Sequence, residues 1–232
     1  MASRFKKRFV TTKGVWEWNA KRGLYVRVSK QGYWYQGPWA EAHPRNPVWA
    51  ATNFRFYDDT GFPGTGLALE NIAVTATEGV LPGDSIQLRM DHGETGAADN
   101  ANTGTFTLQV DVDGGGFNNV TTTVTDDVFL FNSSNLTDGT GITTQLLLGI
   151  AGSGFASGFG EQDEDNSFTS QTWSDDFGES HFALQFNSGL TGGEVFTFRW
   201  LDPASVALAP ANSPVITLDT AAGDVLQSQV WM

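Results

Sequence analysis

The side chains able to do chemistry in this chain are few and poorly spaced for it. There is no cysteine, and the three histidines are His43, His92 and His181. Thiolate chemistry and sulfur-built metal sites are therefore excluded, and no histidine pair stands at ligand spacing. His43 lies in a proline-rich connector, His92 in an expected turn and His181 opposite the apolar face of its strand, so all three are expected to face solvent. Asp111 and Asp113 ahead of three glycines have the spacing of a calcium loop's opening. The fifth and twelfth positions, however, are Gly115 and Thr122, where an EF-hand loop needs oxygen ligands. A hairpin turn accounts for these residues better.

Carboxylates are abundant but do not form a catalytic pair. Glycoside hydrolysis needs two carboxyls about 5 to 10 Å apart across a cleft. Asp58-Asp59 and Asp175-Asp176 are adjacent, and neighbouring residues on a strand point to opposite faces. Glu161, Asp163, Glu164 and Asp165 offer hard oxygen ligands, yet read as a solvated acidic loop. The Asn-x-Ser/Thr triplets at Asn119, Asn132 and Asn135 read as turn and strand-edge asparagines. The expectation is a chain that is not an enzyme and holds no cofactor or metal.

The elements that must position these residues are strands. In Thr105–Asp113, Phe106, Leu108, Val110 and Val112 alternate with polar residues, the period of a strand with one face buried. Asp113-Gly114-Gly115-Gly116 supplies a turn, and Val120–Val124 is expected to return alongside. Further pairs recur in 53–57, 85–90, 129–131 (Phe129 and Phe131), 182–186, 196–200 and 216–218, with glycine-rich turns between them and no sustained helical period. The residues from 143 to 150 are compatible with a helical turn or a strand, and 161–170 reads as an acidic loop. The fold expected is all-β: an antiparallel two-sheet sandwich, Ig-like or jelly-roll-like, with an N-terminal β-rich extended arm.

Charge divides the chain at about residue 50. Ten of the thirteen basic residues precede that point with only two acids, Glu17 and Glu41, leaving +8 there and −21 in the remainder. The expected domains are a basic, aromatic arm over 1–50 and an acidic sandwich over 51–232. The arm carries five of eight tryptophans and three of four tyrosines. GVWEW, GLYVRVS and GYWYQ look like short strands, and Pro38, Pro44 and Pro47 mark a connector. No segment has the apolar run of a secretory signal or a membrane span, so a membrane role is not expected.

Arginine beside tryptophan and tyrosine can stack on single-stranded nucleic acid, but a −21 body repels phosphate, so a nucleic-acid partner is not expected. The same residues anchor protein interfaces. The partner-binding residues are expected to be Arg4, Lys6, Lys7, Arg8, Trp16, Trp18, Tyr33, Trp34, Tyr35 and Trp39.

The blocks FRFYDDTG, LALENIAVT, PGDSIQLRM, TFTLQVDVDGGGFNNV, FLFNSSNLTDGTGITTQLL, GFGEQDEDN and HFALQFNSGLTGGEVFTFRW, in that order, resemble a β-sandwich module common in tailed-phage virion structural proteins. The resemblance spans about residues 53 to 218. Its most specific pieces are Tyr57-Asp58-Asp59, Asn135-Leu136-Thr137-Asp138-Gly139 and Glu164-Asp165-Asn166. It implies a virion component, and a fold alone would not establish that role. The expected partners are the major capsid protein or other virion proteins, together with further copies of the chain, as a trimer if it sits on a threefold position. A capsid decoration or cement role is the first expectation. A tail or fibre module binding a host-surface glycan, with Trp34, Tyr35 and Trp39 as stacking platforms, is the second.

Overall fold

The computed structural model describes backbone and side chains over residues 48–95, 105–151, 154–156, 176–208, 210 and 213–220, and backbone alone for the strands within 5–29 and 159–169. Every regular element among these residues is a strand. The chain divides into two compact units, Met1–Arg45 and Asn46–Met232.

In the smaller unit, β1 (Phe5–Thr11), β2 (Gly14–Asn19) and β3 (Leu24–Ser29) form an antiparallel meander. β2 and β3 are the expected GVWEW and LYVRV pieces. β1 has no counterpart in the sequence reading, because the run Lys6-Lys7-Arg8 breaks the alternation that identifies a strand.

The larger unit continues with β4 (Trp49–Ala50), β5 (Phe54–Asp58), β6 (Ser85–Glu94), β7 (Thr105–Val112), β8 (Phe117–Asn119), β9 (Val128–Leu130), β10 (Gly141–Ile142) and β11 (Gly154–Phe155). It closes with β12 (Phe159–Gln162), β13 (Ser167–Thr169), β14 (Asp176–Phe186), β15 (Val195–Leu201), β16 (Ala207–Leu208) and β17 (Val215–Thr217). One sheet is built around β14 and β6, with β4, β5, β9, β10, β11 and β12; the other is built around β7 and β15, with β8, β13, β16 and β17. Pairing is antiparallel except where β11 and β12 join β14 in parallel.

The two sheets pack as the expected sandwich. Phe54, Phe56, Leu88, Met90, Phe182 and Leu184 from one meet Phe106, Leu108, Phe196, Phe198, Trp200 and Ile216 from the other, all fully buried. The Phe56–Phe198 and Phe182–Trp200 ring centroids are 6.1 and 5.2 Å apart, and aromatic pairs at such separations add to the burial of apolar area. Trp49, counted with the arm by its sequence position, belongs to the sandwich: its ring meets Phe106 edge-on at 5.0 Å and its strand pairs with β6.

Four details differ from the sequence reading. The strand returning along β7 is Phe117–Asn119, not 120–124. The turn is tight because Asp113 (φ 52°), Gly114 and Gly116 all adopt the left-handed region, so pairing resumes at once. In β9 it is Val128 and Leu130 that enter the central core, while Phe129 is buried on the opposite side; the larger residues suggested the wrong phase. The acidic segment is partly sheet, because β12 runs to Gln162 in one sheet and β13 begins at Ser167 in the other. Residues 143–150 are neither helix nor strand.

Candidate functional site

The central strands β6 and β14 are buried on both faces, which a half-wet sheet would not be. One face makes the core. The other carries Gln87, Arg89 and Asp91 beside Glu179 and His181, and all five are fully or almost fully buried. Antiparallel pairing puts His181 opposite Arg89 and Glu179 opposite Asp91, so alternation alone brings this polar set to one place.

Four of the five, all but Asp91, form a continuous hydrogen-bonded chain. Arg89 Nε donates to Glu179 Oε2 at 2.5 Å, and Arg89 Nη2 donates to the Thr144 carbonyl at 2.8 Å. Glu179 also accepts the backbone N–H groups of Leu146 and Leu147. These bonds hold the irregular 144–147 segment over the sheet. Gln87 Nε2 donates to Asp59 and to the Gly61 carbonyl, each at 2.7 Å, which fixes its amide orientation. Gln87 Oε1 therefore accepts from His181 Nε2 at 2.9 Å, leaving His181 Nδ1 as the acceptor facing Arg89 Nη1 at 3.4 Å. Burial and the nearby guanidinium both hold His181 well below the usual imidazole range. It is a neutral imidazole.

The chain ends at Asp59. Its carboxylate accepts from Ser133 Oγ at 2.8 Å, and its carbonyl accepts from Asn135 Nδ2 at 2.7 Å. Two of the most specific sequence blocks, Tyr57-Asp58-Asp59 and Asn135–Gly139, thus touch. The third, Glu164-Asp165-Asn166, lies outside the described residues.

A second cluster centres on Asp91. Its carboxylate accepts from the Thr52 and Asn53 backbone N–H groups and from Asn53 Nδ2, and Asn53 Oδ1 in turn accepts from Asn71 Nδ2. Burial pushes the Asp91 carboxyl up to about 6 despite these donors. On the core face His92 lies 5.2 Å from the Phe106 ring and 5.7 Å from the Trp200 ring, and burial holds it down to about 3.

His92 and His181 are therefore not solvent-facing, contrary to expectation. His92 lies within β6, not in a turn, because the strand continues four residues past the last aliphatic residue, Met90. His43 lies outside the described residues. The expected partner-binding residues fall in the smaller unit: the backbone places Lys6, Lys7 and Arg8 on β1 and Trp16 and Trp18 on β2. Arg4, Tyr33, Trp34, Tyr35 and Trp39 lie outside the described residues. Asp163, Glu164 and Asp165 do too, while Glu161 is on β12. Among the described residues no group of three or more His, Asp or Glu is arranged to hold a metal ion, and no helix is long and apolar enough to cross a membrane.

Concavities open on the sandwich among the described residues. A broad groove of about 800 Å³ runs past Phe117, Asn118, Asp126 and Asp127 at the β8 edge. Its aromatic ring is already covered, since the Arg199 guanidinium stacks 3.7 Å from the Phe117 centroid and is fixed there by Gln109. A smaller pocket of about 390 Å³ lies above Arg89, walled by Phe62, Pro63 and the 140–146 segment. No family model, curated protein or solved structure matches this chain. What it does must be argued from its own residues.

The buried polar layer leaves no motif in the sequence. A signal existed: Arg89 is one of only three basic residues after position 50. A lone arginine in so acidic a body, two residues from Gln87 and Asp91 on the same face, is better explained by a buried partner than by solvent.

Proposed function

We propose that this chain is a non-enzymatic structural protein of a tailed-phage particle, a capsid decoration or cement protein held to the shell by its N-terminal unit. One observation carries the reading: the charge boundary coincides with the boundary between compact units. Met1–Arg45 holds the +8 and Asn46–Met232 the −21. A small cationic sheet rich in tryptophan and tyrosine has the composition of a protein-binding element, and its charge speeds encounter with an acidic surface. The sandwich suits a displayed body, because its net charge keeps particles apart.

The mechanism is multivalent. Many copies, each bound weakly, stiffen a lattice without covalent chemistry, since any contact made only in the assembled state stabilises that state by mass action. The resemblance of residues 53 to 218 to phage virion modules points the same way.

Copy number on purified particles tests the reading. A stoichiometry matching the shell lattice supports decoration. A stoichiometry matching the few-fold symmetry of a tail moves the chain to the tail or fibre reading, with glycan binding as its task.

A further inference from the structure

The pocket above Arg89 has a chemical character of its own. Arg89 is 1 % exposed and has five N–H groups. Nε serves Glu179, one Nη2 hydrogen serves the Thr144 carbonyl, and one Nη1 hydrogen faces His181. Two guanidinium N–H groups are left without an acceptor among the described residues, on a side chain that lines the pocket. Buried donors left unmet are costly, so an occupant that supplies oxygen acceptors is favoured there.

Charge narrows the class. Arg89 is already neutralised by Glu179 at 2.5 Å, and the surrounding unit is strongly anionic, so an incoming anion meets no net positive field. The acceptor is therefore neutral. Part of the lining is apolar: Phe62, 42 % exposed with its ring 5.0 Å from the His181 ring, together with Pro63 and Leu146. Thr140 and Thr143 line the same pocket and add hydroxyls that both donate and accept. A volume of about 390 Å³ is near the lower end of small-ligand sites and suits one or two rings.

We propose that this pocket binds a neutral sugar residue, with Arg89 and the threonines hydrogen-bonding its hydroxyls and Phe62 packing against its apolar ring face. The assignment concerns the sandwich alone and stands whether or not the N-terminal unit grips a shell.

The test is a titration of the isotopically labelled full chain with the methyl glycosides of glucose, galactose, mannose and N-acetylglucosamine, followed by amide chemical shifts. At least one glycoside is expected to give saturable shifts at residues 62 and 140–146. Phe62→Ala and Thr140→Val should each weaken that binding, Phe62→Ala by about tenfold; Thr140→Val, at an exposed position, should keep the wild-type unfolding temperature. The proposal is overturned if no glycoside gives saturable shifts at the pocket, if acetate saturates it while the glycosides do not, or if Thr140→Val binds as the wild type does.

Discussion

Arg89 and Glu179 form an ion pair at 2.5 Å between the two central strands, with exposures of 1 % and 0 %. The pair does more than hold itself. Glu179 also receives the Leu146 and Leu147 N–H groups, and Arg89 holds the Thr144 carbonyl, so the pair fastens a segment without regular structure onto the sheet. Replacing Glu179 with Leu strands a buried guanidinium and should cost about 3 to 5 kcal/mol, read from the denaturant midpoint. The double variant Arg89→Met, Glu179→Leu should recover part of that loss, because no buried charge is left unpaired.

The fold should be acid-labile. His92, held down to about 3, and His181, held well below 6.5, stay neutral in the folded chain but take up protons near 6.5 once unfolded. Their contribution is whole above 6.5 and is lost as pH falls toward the folded values. Asp91 opposes this: raised from 3.8 to about 6, it binds its proton in the folded state first, stabilising the fold as pH falls from about 6 to 4. His92 and Asp91 roughly offset each other across that window, so the net loss of stability as pH falls comes from His181, held well below 6.5 in the folded chain. Urea unfolding at a series of pH values measures the slope, and a flat profile would contradict the assignment of neutral buried histidines.

Gly149 admits no side chain. Its φ is 78°, its carbonyl accepts from Asn53 Nδ2, and a Cβ there would stand 2.2 Å from the Phe177 ring. Gly149→Ala should lower stability by roughly 2 kcal/mol or more, combining backbone strain with overpacking. An unfolding temperature equal to the wild type would show that the ring moves aside freely.

These features also mark how far the sequence could be read. β7 was legible because Phe106, Leu108 and Val110 face the core while Thr105 and Thr107 do not, and period two is visible without knowing the partner. The same logic misjudged His181, since alternation says which residues share a face but not whether that face is wet. What covers it is the loop structure at 59–64 and 131–147, held by single hydrogen bonds such as Asn135 to Asp59, and such contacts leave no periodic trace. Phase errors like Phe129 for Leu130 arise where a strand is only three residues long, so that either face can look apolar.

Deletion of the N-terminal unit tests most directly whether it is the gripping element. The cut belongs at residue 45, since Trp49 and Ala50 are part of the sandwich. Co-sedimentation of purified protein with particles lacking it should show the full chain bound and released by rising salt, as charge-steered contacts are. The chain without residues 1–45 should stay folded and remain in the supernatant. If the shortened chain sediments with particles as fully as the intact one, the gripping surface lies on the sandwich and the account is wrong.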